Sequence, residues 1–219
     1  GANVTMPHKE MALALSEPDA CARAIGAANT LWLDKGVLRA TNTDVEGFLG
    51  SLDAVAPGWE KRVRRPVVVG AGGAARAIIY GLLDRGVRGI KLANRTHAKA
   101  LALQAQFGDA VTPVAWATLP NELEGADLLV NTTSLGMTGQ PSFDYDISRL
   151  ADGALVSDIV YVPLETELLA AAKARGLVTA NGLDMLLHQA VRGFELWFGV
   201  RPDVTQELYD LLAADIEGR

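Results

Sequence analysis

The sequence predicts an α/β fold in two lobes, the larger a Rossmann-like domain on a parallel sheet. Three observations carry this. The chain has 219 residues, about one and a half domains at roughly 150 residues each. From Pro66 onward, short apolar strands alternate with helical stretches, which implies a parallel sheet with right-handed crossovers. Between the first of these strands and its helix stands a glycine-rich run, Gly70-Ala71-Gly72-Gly73-Ala74-Ala75.

The elements follow in order. Gly1 to Thr5 reads as a short strand, and Pro7 suits the first turn of a helix that continues from Lys9 to Leu15. Asp19 to Ile25 is helical. Asn29 to Leu33 and Val37 to Thr41 are β-rich and flank Asp34-Lys35-Gly36, a hairpin signal. Asp44 opens a helix through Phe48 and Leu52. Ala56 to Arg65, with Pro57, Gly58 and a basic run, is the best candidate for a domain boundary. Val67-Val68-Val69 is a buried-type strand, and the helix after the glycine-rich run reaches about Arg85. Further strands are expected at Gly89–Ala93, Asp127–Asn131, Ala154–Tyr161 and Leu177–Ala180. Helices are expected at Thr96–Phe107, Leu164–Arg175, Leu183–Phe198 and Val204–Ile216.

Composition narrows the function. Hydrophobic residues make up 49% of the chain, enough for a large core, which excludes disorder as the main state. The formal charge of −6 argues against a general nucleic-acid or anionic-membrane binder. One cysteine, Cys21, excludes an internal disulfide and a cysteine-cluster metal site, and fits a reducing cytoplasm. There is no apolar run long enough to span a bilayer. The expected partner is a small molecule.

The glycine-rich run fits G-x-G-x-x-A. Its first glycine permits a tight turn, the second lets the backbone approach a pyrophosphate, and the small third position allows close helix packing. Free N–H groups at the helix start then face the phosphates. A tight βα turn without a ligand is the plain alternative. An NAD-binding unit places Asp or Glu about 20 residues on, for the ribose 2′-hydroxyl. Here that place holds Asn94, followed by Arg95, Thr96 and Lys99. Cations without a carboxylate suit a 2′-phosphate, so the reading is NADP.

Two further segments carry chemistry. Asn3-Val4-Thr5-Met6-Pro7-His8-Lys9 puts Asn and Thr at a strand end and Lys in the next helical turn. Asn42-Thr43-Asp44 puts a carboxylate at another helix start. A Lys beside an Asp could relay a proton to or from an alcohol. Taken singly, Asp44 also reads as an N-cap and Lys9 as a surface lysine. Only a fold can bring the two together.

These residues resemble the shikimate dehydrogenase family. Gly1 through Lys9 is similar to its G-x-N-V-T-x-P-x-K signature, and Gly26-Ala27-Ala28-Asn29-Thr30 to its G-A-x-N-T. Asn42 to Phe48 looks like its N-T-D-x-x-G segment, Gly70 to Ala74 like its glycine turn, and Asn94-Arg95-Thr96 like its N-R-T. Gly182 to Ala190 resembles its G-L-x-M-L-x-x-Q-A helix. The motifs occur in order along essentially the whole chain.

The resemblance implies NADPH-dependent, reversible reduction of 3-dehydroshikimate to shikimate, in a cytoplasmic monomer or homodimer. It implies an NADP-binding Rossmann-like domain at 48–181 and an α/β substrate-binding domain at 1–47 and 182–219. Lys9 and Asp44 would be catalytic, and Thr5, Lys9, Asn29, Asp44, Tyr161 and Gln189 would bind substrate. Gly70, Ala71, Gly72, Gly73, Ala74, Asn94, Arg95, Thr96, Lys99, Thr132, Ser134, Ile159, Gly182 and Met185 would line the cofactor. The family carries a stretch before the first motif, with a Ser-x-Ser pair for the substrate carboxylate, and this sequence starts after it. A strand edge and apolar surface are therefore expected to be exposed. The alternatives are a quinate/shikimate dehydrogenase using NAD, or an NADP-binding fragment with impaired catalysis.

The remaining candidates have plain readings. His8, His97 and His188 lack metal-ligand spacing, and Cys21 reads as an inert buried thiol. Trp32, Trp59, Trp116 and Trp197 read as packing residues, and Arg62, Arg64 and Arg65 as a solvated linker. Tyr161 could be a strand end. Gln189, on an otherwise apolar helix face, needs hydrogen-bond partners. Ile216-Glu217-Gly218-Arg219 resembles a processing-protease recognition tetrapeptide and equally suits a natural helix end.

Overall fold

A computed structural model describes residues 1–5 and 7–218, so Met6 of the opening motif and Arg219 of the terminal tetrapeptide lie outside the described residues. The strands form two sheets. The smaller has four strands: β1 (Ala2–Asn3), β2 (Glu17–Pro18), β3 (Thr30–Asp34) and β4 (Val37–Thr41), in the order β1-β3-β4-β2. The predicted hairpin is present. β3 and β4 pair antiparallel across Lys35-Gly36, both at positive φ, which matches the twist of the flanking strands. Helices α1 (Lys9–Ala14) and α2 (Ala20–Ile25) accompany this sheet. Asp19 caps α2 by accepting from the Ala22 N–H at 2.8 Å. Met11, Leu15 and Leu33 stand exposed here, and β1 and β2 are its open edges.

The larger sheet is wholly parallel. Its strands are β5 (Pro66–Val69), β6 (Ile90–Ala93), β7 (Val111–Val114), β8 (Leu128–Asn131), β9 (Leu155–Asp158) and β10 (Val178–Ala180). Their order, β10-β9-β8-β5-β6-β7, is the doubly wound Rossmann arrangement, with its switch point between β5 and β8. Val67, Val68 and Val69 are all fully buried, because helices cover both faces of the sheet. Val68 belongs to one core, and Val67 and Val69 to the other. Helices α4 (Gly73–Asp84), α5 (His97–Phe107), α6 (Leu119–Glu122) and α7 (Glu167–Ala174) complete this lobe.

Between the sheets runs α3 (Asp44–Val55), which packs against α4 and against α8 (Gly182–Phe198). α9 (Gln206–Ile216) closes the chain against α8. No helix among the described residues is long and apolar enough to cross a membrane.

Several expectations are corrected. β9 ends at Asp158, three residues earlier than expected, because the chain leaves the sheet there to form a cavity wall. α7 starts at Glu167 rather than Leu164, where the Thr166 side chain caps it. β2, β7 and α6 were not expected. β2 and β7 each contain a proline, and both are edge strands, where a missing N–H donor is tolerated.

Candidate active site

The fold brings Lys9 and Asp44 together across 35 residues. Lys9 Nζ donates to Asp44 Oδ2 at 2.6 Å, with both side chains largely buried. Asp44 is not the N-cap of α3. Thr43 occupies that position, and the Asp44 carboxylate turns to side chains remote in sequence. Its other oxygen, Oδ1, accepts from Asn29 Nδ2 at 2.8 Å. Asp44 sits in the first turn of α3, where the helix dipole favours a negative charge.

Asn29 is the hub of this arrangement. Its Oδ1 accepts from the Thr43 backbone N–H at 2.8 Å, and its Nδ2 also reaches Gln189 Oε1 at 3.2 Å. Asn29 is buried and lies behind the cavity wall rather than on it. Gln189 comes within reach because α8 approaches α3 at Gly47. A Cβ on Gly47 would stand 2.6 Å from the Met185 carbonyl oxygen and 2.7 Å from Gln189 Cβ. Only a residue without a side chain permits that contact.

A cavity of about 280 Å³ opens beside the pair. Thr5, Lys9, Asp44, Tyr161 and Gln189 line one part of it, and Gly73, Ala74, Ile159, Gly182 and Met185 the other. Tyr161 is 42% exposed, at the cavity and not within a strand. Leu186 also lines this cavity and was not singled out by sequence.

A second cavity, about 290 Å³, lies at the C-terminal ends of the parallel strands. Gly70, Ala71, Gly72, Asn94, Arg95, Lys99, Thr132 and Ser134 line it, together with Trp116, Thr133 and Leu135. Gly70 takes φ +108°, and a Cβ there would stand 2.3 Å from Thr132 Oγ1 across the switch point. Asn94 Oδ1 accepts from the Ala71 N–H at 3.0 Å and so ties the turn to the end of β6. Thr96 lines neither cavity; its carbonyl accepts from Asn94 Nδ2. The glycine turn therefore faces both cavities, Gly70 to Gly72 on one side and Gly73 with Ala74 on the other.

This turn is built for an anion. Gly72 is the N-cap of α4 without a side-chain hydrogen bond, and neither α4 nor α5 carries an acidic residue in its first turn. A Cβ on Gly72 or Gly73 would meet nothing within 4 Å, so the space beside the turn is open. Arg95 and Lys99 supply cations at the far side of the same cavity.

Sequence reasoning missed a buried support under both cavities. Asn131 and Asp158 are register partners at the ends of β8 and β9. Asp158 Oδ1 accepts from Asn131 Nδ2 at 2.9 Å and from the Val160 N–H at 3.1 Å, and Oδ2 accepts from Thr166 Oγ1 at 2.8 Å. Asn131 Nδ2 also donates to the Leu135 carbonyl, and Asn131 Oδ1 accepts from Thr133. The network thus fixes the Thr132–Leu135 loop and the Ile159–Tyr161 wall together. Burial pushes the Asp158 carboxyl up to about 6, against the opposing pull of its three donors.

Cys21 is partly rather than fully buried; burial, then nearby carboxylates, push its thiol up to about 12, as suits an inert thiol. Trp59 is a buried core residue. Trp116 packs against the core of the larger lobe, as expected, and also lines the second cavity. Among the described residues, no group of three or more His, Cys, Asp or Glu could hold a metal ion.

The chain is similar to known proteins along nearly its whole length. Residues 59–137 match the family described as shikimate / quinate 5-dehydrogenase. Residues 182–206 match the shikimate 5′-dehydrogenase C-terminal domain. The chain is 64% identical over 216 residues to a shikimate dehydrogenase (NADP(+)) of Rhodopseudomonas palustris strain TIE-1, covering 99% of this chain and 77% of that protein. Among solved structures, shikimate 5-dehydrogenase from Thermus thermophilus in complex with NADP(H) and shikimate superposes with a TM-score of 0.80 at 35% identity, covering 98% of this chain and 78% of that one. Quinate dehydrogenase from Corynebacterium glutamicum in complex with NAD gives 0.86 at 35% identity, covering 97% and 77%. With motifs, sheet order and paired cavities in agreement, the chain belongs to the shikimate dehydrogenase family.

Proposed function

We propose that this chain interconverts 3-dehydroshikimate and shikimate with NADP as its partner in hydride transfer. The observation that carries the reading is the shared turn. The Lys9–Asp44 pair lines a cavity whose opposite wall, Gly73 and Ala74, continues the turn that lines the anion cavity. Residues 48–181 would hold the cofactor, and 1–47 with 182–219 the substrate.

The residues fit NADP. Gly70 to Gly72 would cradle the pyrophosphate, with Arg95 and Lys99 on the 2′-phosphate. When bound, NADP supplies a nicotinamide ring that takes or returns a hydride. The chain supplies the rest. During reduction, Lys9 Nζ gives a proton to the substrate oxygen as that oxygen gains negative charge, and during oxidation it takes the proton back. Asp44 holds Nζ in place, and Asn29 holds Asp44. Thr5, Tyr161 and Gln189 present polar groups to the other hydroxyls. A substrate lacking a hydroxyl would leave such groups unpaired, which is the physical basis of selectivity for a polyol.

The test is the absorbance of reduced nicotinamide with shikimate and NADP⁺, run in parallel with NAD⁺ and with quinate. Turnover is expected with the first pair. Lys9→Ala should lower kcat by about 10²–10⁴-fold while leaving NADPH affinity unchanged in a titration. Turnover that survives the substitution would overturn the proton-handling role.

A further inference from the structure

We propose that Trp116 is the base-contacting surface of the second cavity, against which the adenine of the dinucleotide lies. The inference rests on the NADP reading above and adds a residue that no motif points to.

Three observations place it there. First, register: Ala93 of β6 pairs with Val114 of β7. Arg95 and Trp116 each stand two residues beyond that pair, just past the ends of neighbouring strands, and both line the cavity. In NADP the adenine and the 2′-phosphate are attached to one ribose. A base whose ribose phosphate sits on Arg95 is therefore delivered next to Trp116. Second, the ring is held from behind. Trp116 meets Tyr145 edge-to-face at 5.6 Å and 80°, and Tyr145 meets the buried Phe143 at 5.2 Å and 67°. The indole is thus positioned by an aromatic ladder rooted in the core. Third, chemistry: Trp116 is the only aromatic side chain lining this cavity among the described residues. Its other walls are glycine turn, cations, hydroxyls, one amide and the Leu135 side chain. Phosphates are served by the turn and the cations. A flat, weakly hydrated base is served by the indole.

Stacking recognises the base and is indifferent to the phosphate, which separates its effect from that of Arg95. Trp116→Leu should weaken NADPH and NADH by the same factor, about 5- to 150-fold, the range expected for loss of one base–aromatic stack. Arg95→Gln should weaken NADPH alone. The readout is the fluorescence of the bound reduced nicotinamide, with calorimetry on adenosine 2′,5′-bisphosphate, which carries the adenine and no nicotinamide. That bisphosphate should also quench tryptophan emission in the unsubstituted chain, and the quenching should largely vanish in Trp116→Phe. This variant keeps a ring on the ladder, so it should fold normally and lose less than about threefold in affinity. Losses below twofold for both cofactors in Trp116→Leu would overturn the proposal, as would a loss confined to NADPH. If the unsubstituted chain binds neither dinucleotide, the NADP reading itself fails, and this contact with it.

Discussion

Replacing Asn29 by alanine tests whether the proposed catalytic pair, Lys9 and Asp44, is held by the fold or merely meets by chance. The amide accepts from the Thr43 N–H and donates to Asp44 Oδ1, both in buried surroundings. Alanine leaves these two groups without partners. Each unsatisfied buried group costs about 1–3 kcal/mol, so the loss should be about 2–6 kcal/mol. The Gln189 oxygen is left out of this sum, because its contact with Asn29 is only part-buried and its side chain can turn to water; the Thr30 and Thr43 hydroxyls, which also donate to Asn29 Oδ1, keep each other as partners. In a chain of this length 1 kcal/mol moves Tm by about 2–4 °C, so a mid-range loss of about 4 kcal/mol lowers Tm by about 8–16 °C. The assay is calorimetric unfolding of the two proteins side by side. Dinucleotide affinity should be unchanged in the folded variant, because Asn29 lines neither cavity. Turnover should fall, because Asp44 loses one of the two contacts that orient it. A Tm within about 2 °C of the unsubstituted chain would refute the hub, since two stranded buried groups cannot cost so little.

Two further predictions follow from the same structure. Arg95→Gln should weaken NADPH by about 10- to 150-fold, the worth of roughly 1.5–3 kcal/mol of charge-assisted hydrogen bonding, with NADH unchanged; an equal loss for both would remove the 2′-phosphate from Arg95. For Asp158, the folded carboxyl at about 6 lies above its ordinary 3.8, so the folded state holds the proton longer than the unfolded chain. This group therefore costs stability as pH rises from about 4 to about 6, roughly 3 kcal/mol in all. Asp158→Asn removes that slope, and denaturant unfolding should show the variant gaining on the parent between pH 4.5 and 7.5; a relative loss with rising pH would refute the assignment.

What the sequence disclosed and what it hid divide along a physical line. The glycine turn was readable because its requirements are local: a strand end, a positive φ, open space at Gly72 and Gly73, and a helix start follow one another along the chain. The hairpin at Lys35-Gly36 was readable for the same reason. Asp44 misled when taken alone, because an acid at a helix start is usually a cap. Its real partners, Lys9 and Asn29, lie on other elements. β2 and β7 were hidden by their prolines, which argue against strands until an edge position is known. Asn131 and Asp158 sit in strand patterns that announce nothing. Their meaning appears only when register makes them neighbours. Trp116 read as packing because a tryptophan has no sequence mark that separates a wall from a core.

The proposed reaction puts a hydride on a carbonyl carbon and a proton on its oxygen, which requires the two cavities to keep a fixed separation. The glycine turn cannot fix that separation alone, since it belongs to the larger lobe and Lys9 to the smaller. α3 joins them. Its first turn carries Asp44, which grips Lys9, and its far face packs on α4, the helix that the turn opens. At Gly81 of α4 a Cβ would stand 3.3 Å from Val45 and 3.4 Å from Leu49, so little slack remains between these helices. Gly47 brings α8 onto the same helix, and with it Gln189. A second tie runs from Arg76 of α4 to Glu10, the neighbour of Lys9, at 3.1 Å. That pair is partly exposed, and a surface ion pair contributes about 1 kcal/mol or less. The helix contacts of α3 are buried and close-packed. They, rather than the ion pair, hold the lysine in register with the turn.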